Sequence, residues 1–230
     1  SSCVLIINTI LKKINLKPLL TTAIIQVRLN SKRLPGKALL KINDKTVLQN
    51  IIVRLKKSKS LKKIIISTSN KKSDDPIVRF CKKNKILVFK GSLNYFLRVC
   101  ADSPLIDPVL IDRCMKKFIK GHYDVVTNKF PRSYPKGQTV EIIKVSAFNK
   151  INEKILTTDQ REHFTKYFYD NPKKFKIFNV NSLNQKKFIS MALDNKTNFS
   201  FLKKLTKKYR DNINDLSLNR LIKIYEKKNI

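Results

Sequence analysis

Residues 22–40, TAIIQVRLNSKRLPGKALL, decide how the rest of the chain is read. Residues 23–27 form an apolar run of strand length, and a polar loop follows at once with Arg28, Ser31, Lys32, Arg33, Pro35, Gly36 and Lys37. A strand followed by a loop with several cations, a hydroxyl and one glycine suits a phosphate chain. Backbone N–H groups can turn inward at Gly36 while Arg and Lys neutralise phosphate oxygens. The loop is neither a Walker A motif nor a GxGxxG, so a buried strand followed by a basic surface turn stands beside that reading.

Working outward, residues 47–55 place apolar positions at helical spacing, and residues 64–68, IIIST, form a β-branched strand that runs into a polar cluster. Residues 76–84 read as a helix and residues 86–89 as another strand. Strand, helix, strand, helix, strand predicts an α/β domain with a mixed, mainly parallel sheet. Ligands of such sheets gather at the carboxyl ends of the strands. The loop 28–37 and the pair Thr68 and Ser69 both fall at such ends.

So does LRVCADSPLIDP, residues 97–108, where an apolar run feeds Asp102 and then a Pro-bounded turn. A carboxylate at the tip of a parallel strand can hold Mg²⁺ against nucleotide phosphates. Asp102 could equally be a turn or N-cap residue, the role expected of Asp107 ahead of a helix near 110–120. MALD, residues 191–194, closes another apolar run and offers Asp194 as a second carboxylate. Between them, Glu141, Arg161, Glu162 and His163 are candidates to line an acceptor pocket, with His163 as a satisfied helix residue the competing reading. The tail from Phe199 reads as basic helices, with Ser217 capping the last of them.

With 230 residues and 42% hydrophobic content, the chain can bury a core of its own. The net charge of +34 would favour anionic partners, nucleic acid or an acidic membrane among them. Its lysines are scattered as doublets over nearly every segment, and no regular aromatic interleaving makes a stacking platform. Compositional drift is the preferred reading of that charge, and no specific nucleic acid is expected as a partner. Residues 1–20 are too short and too interrupted to span a bilayer and are wrongly flanked for a signal peptide, which predicts an extension rather than an anchor. Cys3, Cys81, Cys100 and Cys114 show no metal-like spacing, which fits reduced thiols in a cytoplasm.

Taken together, IIQVRLNSKRLPGK, STSNKKSDDPIV, VCADSPLIDP, VTNKFPRSYPKGQTVEII, REHFTKYFYDNPKKFKI and MALD resemble the cytidylyltransferases of the spore coat polysaccharide biosynthesis protein F type. These are relatives of the acylneuraminate and 3-deoxy-manno-octulosonate cytidylyltransferases. The resemblance implies a nucleotide-diphospho-sugar transferase fold, a Rossmann-like three-layer α/β sandwich, over residues 21–198, with basic helices 199–230 packed on it. It implies transfer of a cytidylyl group from CTP to a sugar acid with release of pyrophosphate, for surface polysaccharide. Arg28, Ser31, Arg33, Gly36 and Lys37 would hold the triphosphate, with Arg28, Lys37 and Asp102 catalytic. Asp102 and Asp194 would ligate Mg²⁺, and Thr68, Ser69 and the stretch from PRSYPKG to REH would set base and sugar specificity. Relatives in that family often form homodimers, although no stretch here announces an interface.

Three departures accompany the resemblance. Val27 replaces a small Ala before the Arg, and NKT follows Asp194 in place of Pro and acidic residues. A helix of roughly four turns expected between the Gly91–Ser92 pair and the aspartate strand is missing. Parallel strands need a crossover of about a dozen residues, so either the strand 86–89 is given up or paired differently, or the sheet is damaged. A degenerate, inactive member of the family follows as the competing expectation.

Overall fold

The computed structural model describes residues 22–29, 34–68, 72–86 and 94–227. Among these, a six-stranded sheet runs in the order β4-β1-β5-β7-β6-β8. Its strands are β1 (Thr22–Gln26), β4 (Lys63–Ser67), β5 (Tyr95–Cys100), β6 (Val125–Thr127), β7 (Glu141–Lys144) and β8 (Ile177–Asn179). β1 pairs in parallel with β4 and with β5, β6 pairs in parallel with β8, and β7 runs antiparallel between β5 and β6. A two-stranded hairpin, β2 (Lys41–Ile42) and β3 (Lys45–Thr46), stands apart.

β1 is paired along both edges, and Ala23, Ile24 and Ile25 have no exposed surface, as expected of a strand covered on both faces. Alternation along the strands divides the core in two. Ala23, Ile25, Leu97, Val99, Val126 and Ile142 point to one face. There they meet helices α1 (Val47–Lys56), α3 (Pro108–Lys120), α7 (Lys196–Tyr209) and α8 (Leu218–Glu226). Ile24, Ile65, Phe96, Val125 and Ile143 point to the other face. An aromatic cluster covers it, drawn from α4 (Val145–Phe148), α6 (Lys166–Asp170) and the turns between them. Phe96, Phe148 and Phe164 interlock edge to face, with ring centroids 5.6 and 5.2 Å apart.

Local chemistry sets the helix starts. Thr46 and Gln49 form a reciprocal capping box at α1. Asp107 caps α3 with Pro108 as its first residue, and Ser217 caps α8, both as expected.

The shortened link does not break the parallel core, because β5 pairs with β1 over five residues. The chain reaches β5 from β4 through residues 68–94, which include helix α2 (Asp75–Lys83). That length is ample for one crossover. Ile86 belongs to no strand, and the rest of the expected strand 86–89 lies outside the described residues, as do residues 1–21.

Candidate active site

Parallel register between β1 and β5 pairs Gln26 with Cys100, so the basic loop and Asp102 leave the sheet side by side. The loop is closed at its base, where Gly36 N donates to Leu29 O at 2.8 Å. Leu29 N in turn donates to Oδ1 of the buried Asp74 at 2.8 Å. Gly36 has φ +67°, with open space where a Cβ would stand, so backbone conformation and not room requires glycine there. Arg28 is half-buried beside this closure. Ser31, Arg33 and Ser69 lie outside the described residues. Thr68, at the carboxyl end of β4, has a buried hydroxyl with no hydrogen-bond partner.

Lys37 opens a 3-10 turn (Lys37–Leu39) and reaches across to the two aspartate segments. Its Nζ donates to Leu193 O at 3.0 Å and lies 3.9 Å from Asp102 Oδ2. Leu193 N donates to Asp102 O at 2.8 Å, which fixes the segment bearing Asp194 against the one bearing Asp102. Ser103 Oγ donates to Asp102 Oδ1 at 3.0 Å. Asp102 therefore sits in a turn but caps no helix, since Asp107 accepts from Val109 N and Leu110 N. Lys37, Asp102 and the 193–194 segment, far apart in sequence, converge at one edge of the sheet.

Could this edge hold a metal? Among the described residues no group of three or more His, Cys, Asp or Glu side chains converges. Asp102 and Asp194 are both half-buried and offer only oxygens, and the ammonium of Lys37 stands against the Asp102 carboxylate and the Leu193 carbonyl. This donor set fits Mg²⁺ shared between carboxylates, water and phosphates, and does not fit a self-sufficient protein cage.

The acceptor candidates fare differently. Glu141 has no exposed surface, because in the β5–β7 register it stands opposite Arg98 and forms a buried ion pair with it. Tyr169 Oη donates to Glu141 Oε1 at 2.6 Å and lies 3.1 Å from Thr127 Oγ1. Burial alone would raise the Glu141 carboxyl, but Arg98, Lys129 and the Tyr169 hydrogen bond outweigh it and hold it down to about 2. The Arg98 guanidinium lies 5.5 Å above the Phe164 ring. Glu141 is thus a buried support and touches no open surface. His163 ends helix α5 (Thr158–Glu162) and is exposed. Partial burial of its ring, with the charges of Arg98 and Lys129, keeps its imidazole below the ordinary value. Arg161 Nε donates to Leu156 O at 3.1 Å, and Glu162 is exposed.

Several supports escape a reading of the sequence. Arg132 is half-buried, donates to Thr139 Oγ1 at 3.1 Å, and lies within the fields of Glu141 and Asp102; burial, opposed by these groups, lowers its guanidinium. Gln138 holds Asp107 N and Leu105 O at 2.9 and 2.8 Å, while Asn128 bridges Gln138 O and Val140 N. Gly137 has φ +86°, and a Cβ there would come within 2.7 Å of Ala192 N, so it lets the 136–138 backbone lie on the segment that carries Asp194. Buried Arg54 donates to Ile106 O, Ile213 O and Leu216 O at 2.7, 3.0 and 3.2 Å. Only Arg54 left a signal, as a cation on the apolar stripe of its helix. Two sizeable clefts lie elsewhere and contain none of the candidate residues. One of about 300 Å³ is between the β2–β3 hairpin and the turn Arg210–Asp215, and one of about 550 Å³ is between α1 and β4.

The family model described as Cytidylyltransferase matches residues 22–97, the span from β1 into β5. An uncharacterized protein of Methanocaldococcus jannaschii is 37% identical over 171 residues, which cover 67% of this chain and 69% of that protein. The spore coat polysaccharide biosynthesis protein SpsF of Bacillus subtilis is 28% identical over 176 residues, covering 67% and 72% of the two chains. A solved cytidylyltransferase from Leptospira borgpetersenii superposes with a TM-score of 0.81 at 27% identity, over 91% of this chain and 94% of that one. The structure of CMP:2-keto-3-deoxy-manno-octonic acid synthetase complexed with CTP shares the fold, with a TM-score of 0.57 at 12% identity over 82% and 99% of the chains. With its mainly parallel sheet, basic loop and paired aspartate segments, the chain belongs to the cytidylyltransferase family of the spore coat polysaccharide biosynthesis protein F type.

Proposed function

We propose that this protein transfers a cytidylyl group from CTP to a sugar acid and releases pyrophosphate, in the cytoplasm, as a step toward a surface polysaccharide. One observation carries the reading: Lys37, Asp102 and the 193–194 segment meet at the carboxyl ends of β1 and β5. The relative named for spore coat polysaccharide biosynthesis supports the pathway, and the CTP-bound fold relative supports the nucleotide. Among the described residues no helix is long and apolar enough to cross a membrane.

In this reading the loop from Arg28 to Lys37 holds the triphosphate, with Gly36 shaping its turn. A sugar hydroxyl attacks the α-phosphorus in line and gives up its proton to solvent, and the bond between the α-phosphorus and the bridging oxygen to the β-phosphorus breaks. Arg28 and Lys37 stabilise the charge that gathers on the departing pyrophosphate. Asp102 and Asp194 would hold Mg²⁺, which when bound supplies further charge neutralisation on the phosphates. The unpartnered Thr68 hydroxyl supports a nucleotide contact at the end of β4. His163, Arg161 and Glu162 border the acceptor side, and Glu141 acts there only through Arg98 and Tyr169.

The test is pyrophosphate release with each of the four nucleoside triphosphates, Mg²⁺ and a panel of sugar acids. Release with CTP, lost in Asp102→Ala and Asp194→Ala, is the expected outcome. Equal release with every triphosphate, or none from a protein that melts cooperatively, overturns the cytidylyl assignment.

A further inference from the structure

The position of Lys37 bears on the order in which ligands bind. We infer that Lys37 and a divalent cation compete for Asp102, so that the cation binds tightly only after nucleotide phosphates draw the lysine away. This rests on the nucleotidyltransferase reading and adds to it a coupling between its two charged ligands.

The geometry is specific. Lys37 Nζ lies between the two segments that carry the candidate metal carboxylates, hydrogen-bonded to Leu193 O at 3.0 Å and 3.9 Å from Asp102 Oδ2. Ser103 Oγ donates to Oδ1, while Lys37 lies on the side of Oδ2, the oxygen for which a cation would compete with it. No third His, Cys, Asp or Glu joins the group among the described residues, so its negative charge is small. The Asp102 carboxylate beside an ammonium leaves little net negative charge to meet a dication, and repulsion between the two cations opposes binding. A triphosphate reverses this balance, because it brings several negative charges and gives Lys37 a better partner than a carbonyl and a long ion pair. The lysine stem is flexible, and its ammonium is a point charge that can change partners without bidentate geometry. The coupling is reciprocal: whatever factor the nucleotide adds to metal affinity, the metal adds to nucleotide affinity.

Mn²⁺ binding, read from the electron paramagnetic resonance of the free ion, tests this without turnover. The wild type is compared with Lys37→Met and Lys37→Gln, each with and without α,β-methylene-CTP, after thermal melts confirm folding. Lys37→Gln keeps a donor for Leu193 O and serves if Lys37→Met fails to fold. The expected result is Mn²⁺ affinity without nucleotide at least roughly fivefold higher in the variants, with the tightening by the analogue smaller by the same factor. Unchanged or weaker affinity in the variants, or no measurable binding in any protein at millimolar Mn²⁺, overturns the inference. Failure of the CTP analogue to outdo its adenosine and guanosine counterparts would count against the cytidylyl reading alone, since competition is judged in the nucleotide-free comparison.

Discussion

Arg98–Glu141 and Lys37–Asp102 are both ion pairs built on β5 or just past its end, yet their surroundings differ sharply. Side-chain exposures are 5% and 0% in the first pair and 16% and 31% in the second. Glu141 also takes the Tyr169 hydroxyl, and Phe164 lies beneath the Arg98 guanidinium, so neither charge has another place to go. Among the described residues the Asp102 carboxylate is held by Ser103 and a long contact to Lys37. Full burial turns an ion pair into a fixed brace, whereas partial burial leaves charges that can exchange partners. One strand therefore supplies both the support of the site and its working charge.

Substitutions can break or sharpen this contrast. The largest expected effect comes from Glu141→Ala, which leaves Arg98 buried without its carboxylate. Chemical denaturation should show a loss of about 3–5 kcal/mol, as for other broken buried pairs. The same carboxyl, held down to about 2, stabilises the fold fully above its ordinary value near 4.5 and progressively less as pH falls below it. Denaturation of a folded Glu141→Gln variant between those limits should lack this component of acid sensitivity. Next comes the double change Arg98→Met with Glu141→Leu, expected to cost about 2 kcal/mol or less because no buried charge is stranded. A double variant as unstable as the single one would show that Tyr169 and its neighbours need the carboxylate for itself. The smallest stability effect belongs to Asp102→Asn, roughly 1 kcal/mol or less, together with a fall in pyrophosphate release of about a hundredfold or more. A large stability loss there would make Asp102 a brace as well.

Much of the fold was legible because local signals agreed with it. The apolar β1, the Asp107 cap ahead of α3 and the Ser217 cap ahead of α8 each announce an element from adjacent residues. Asp102 and Lys37 were legible too, since position at a strand end is readable from a run of apolar residues. Glu141 was misleading as a substrate contact, because only the cross-strand register with Arg98 reveals that its charge is already engaged. Gln138, Asn128 and Gly137 were invisible for a related reason. Their partners sit on other segments, and nothing local distinguishes them from ordinary loop residues. The link from β4 to β5 is shorter than the resemblance implies, yet β5 still pairs with β1 over five residues, and aromatics after β7 cover one face of the sheet.

Arg54 joins residues that are synthesised at very different times. Its guanidinium donates to Ile106, on the loop between Asp102 and Asp107, and to Ile213 and Leu216, which lie 159 and 162 positions later in the chain. On the ribosome, the β1–β5 half therefore emerges with this side chain lacking two of its three carbonyl partners. Contacts of such long sequence separation form late in folding. Residues 213–216 complete the set of carbonyls that fix Arg54 beside the aspartate loop, so a nascent or C-terminally clipped chain would form its sheet before that support of the loop is complete.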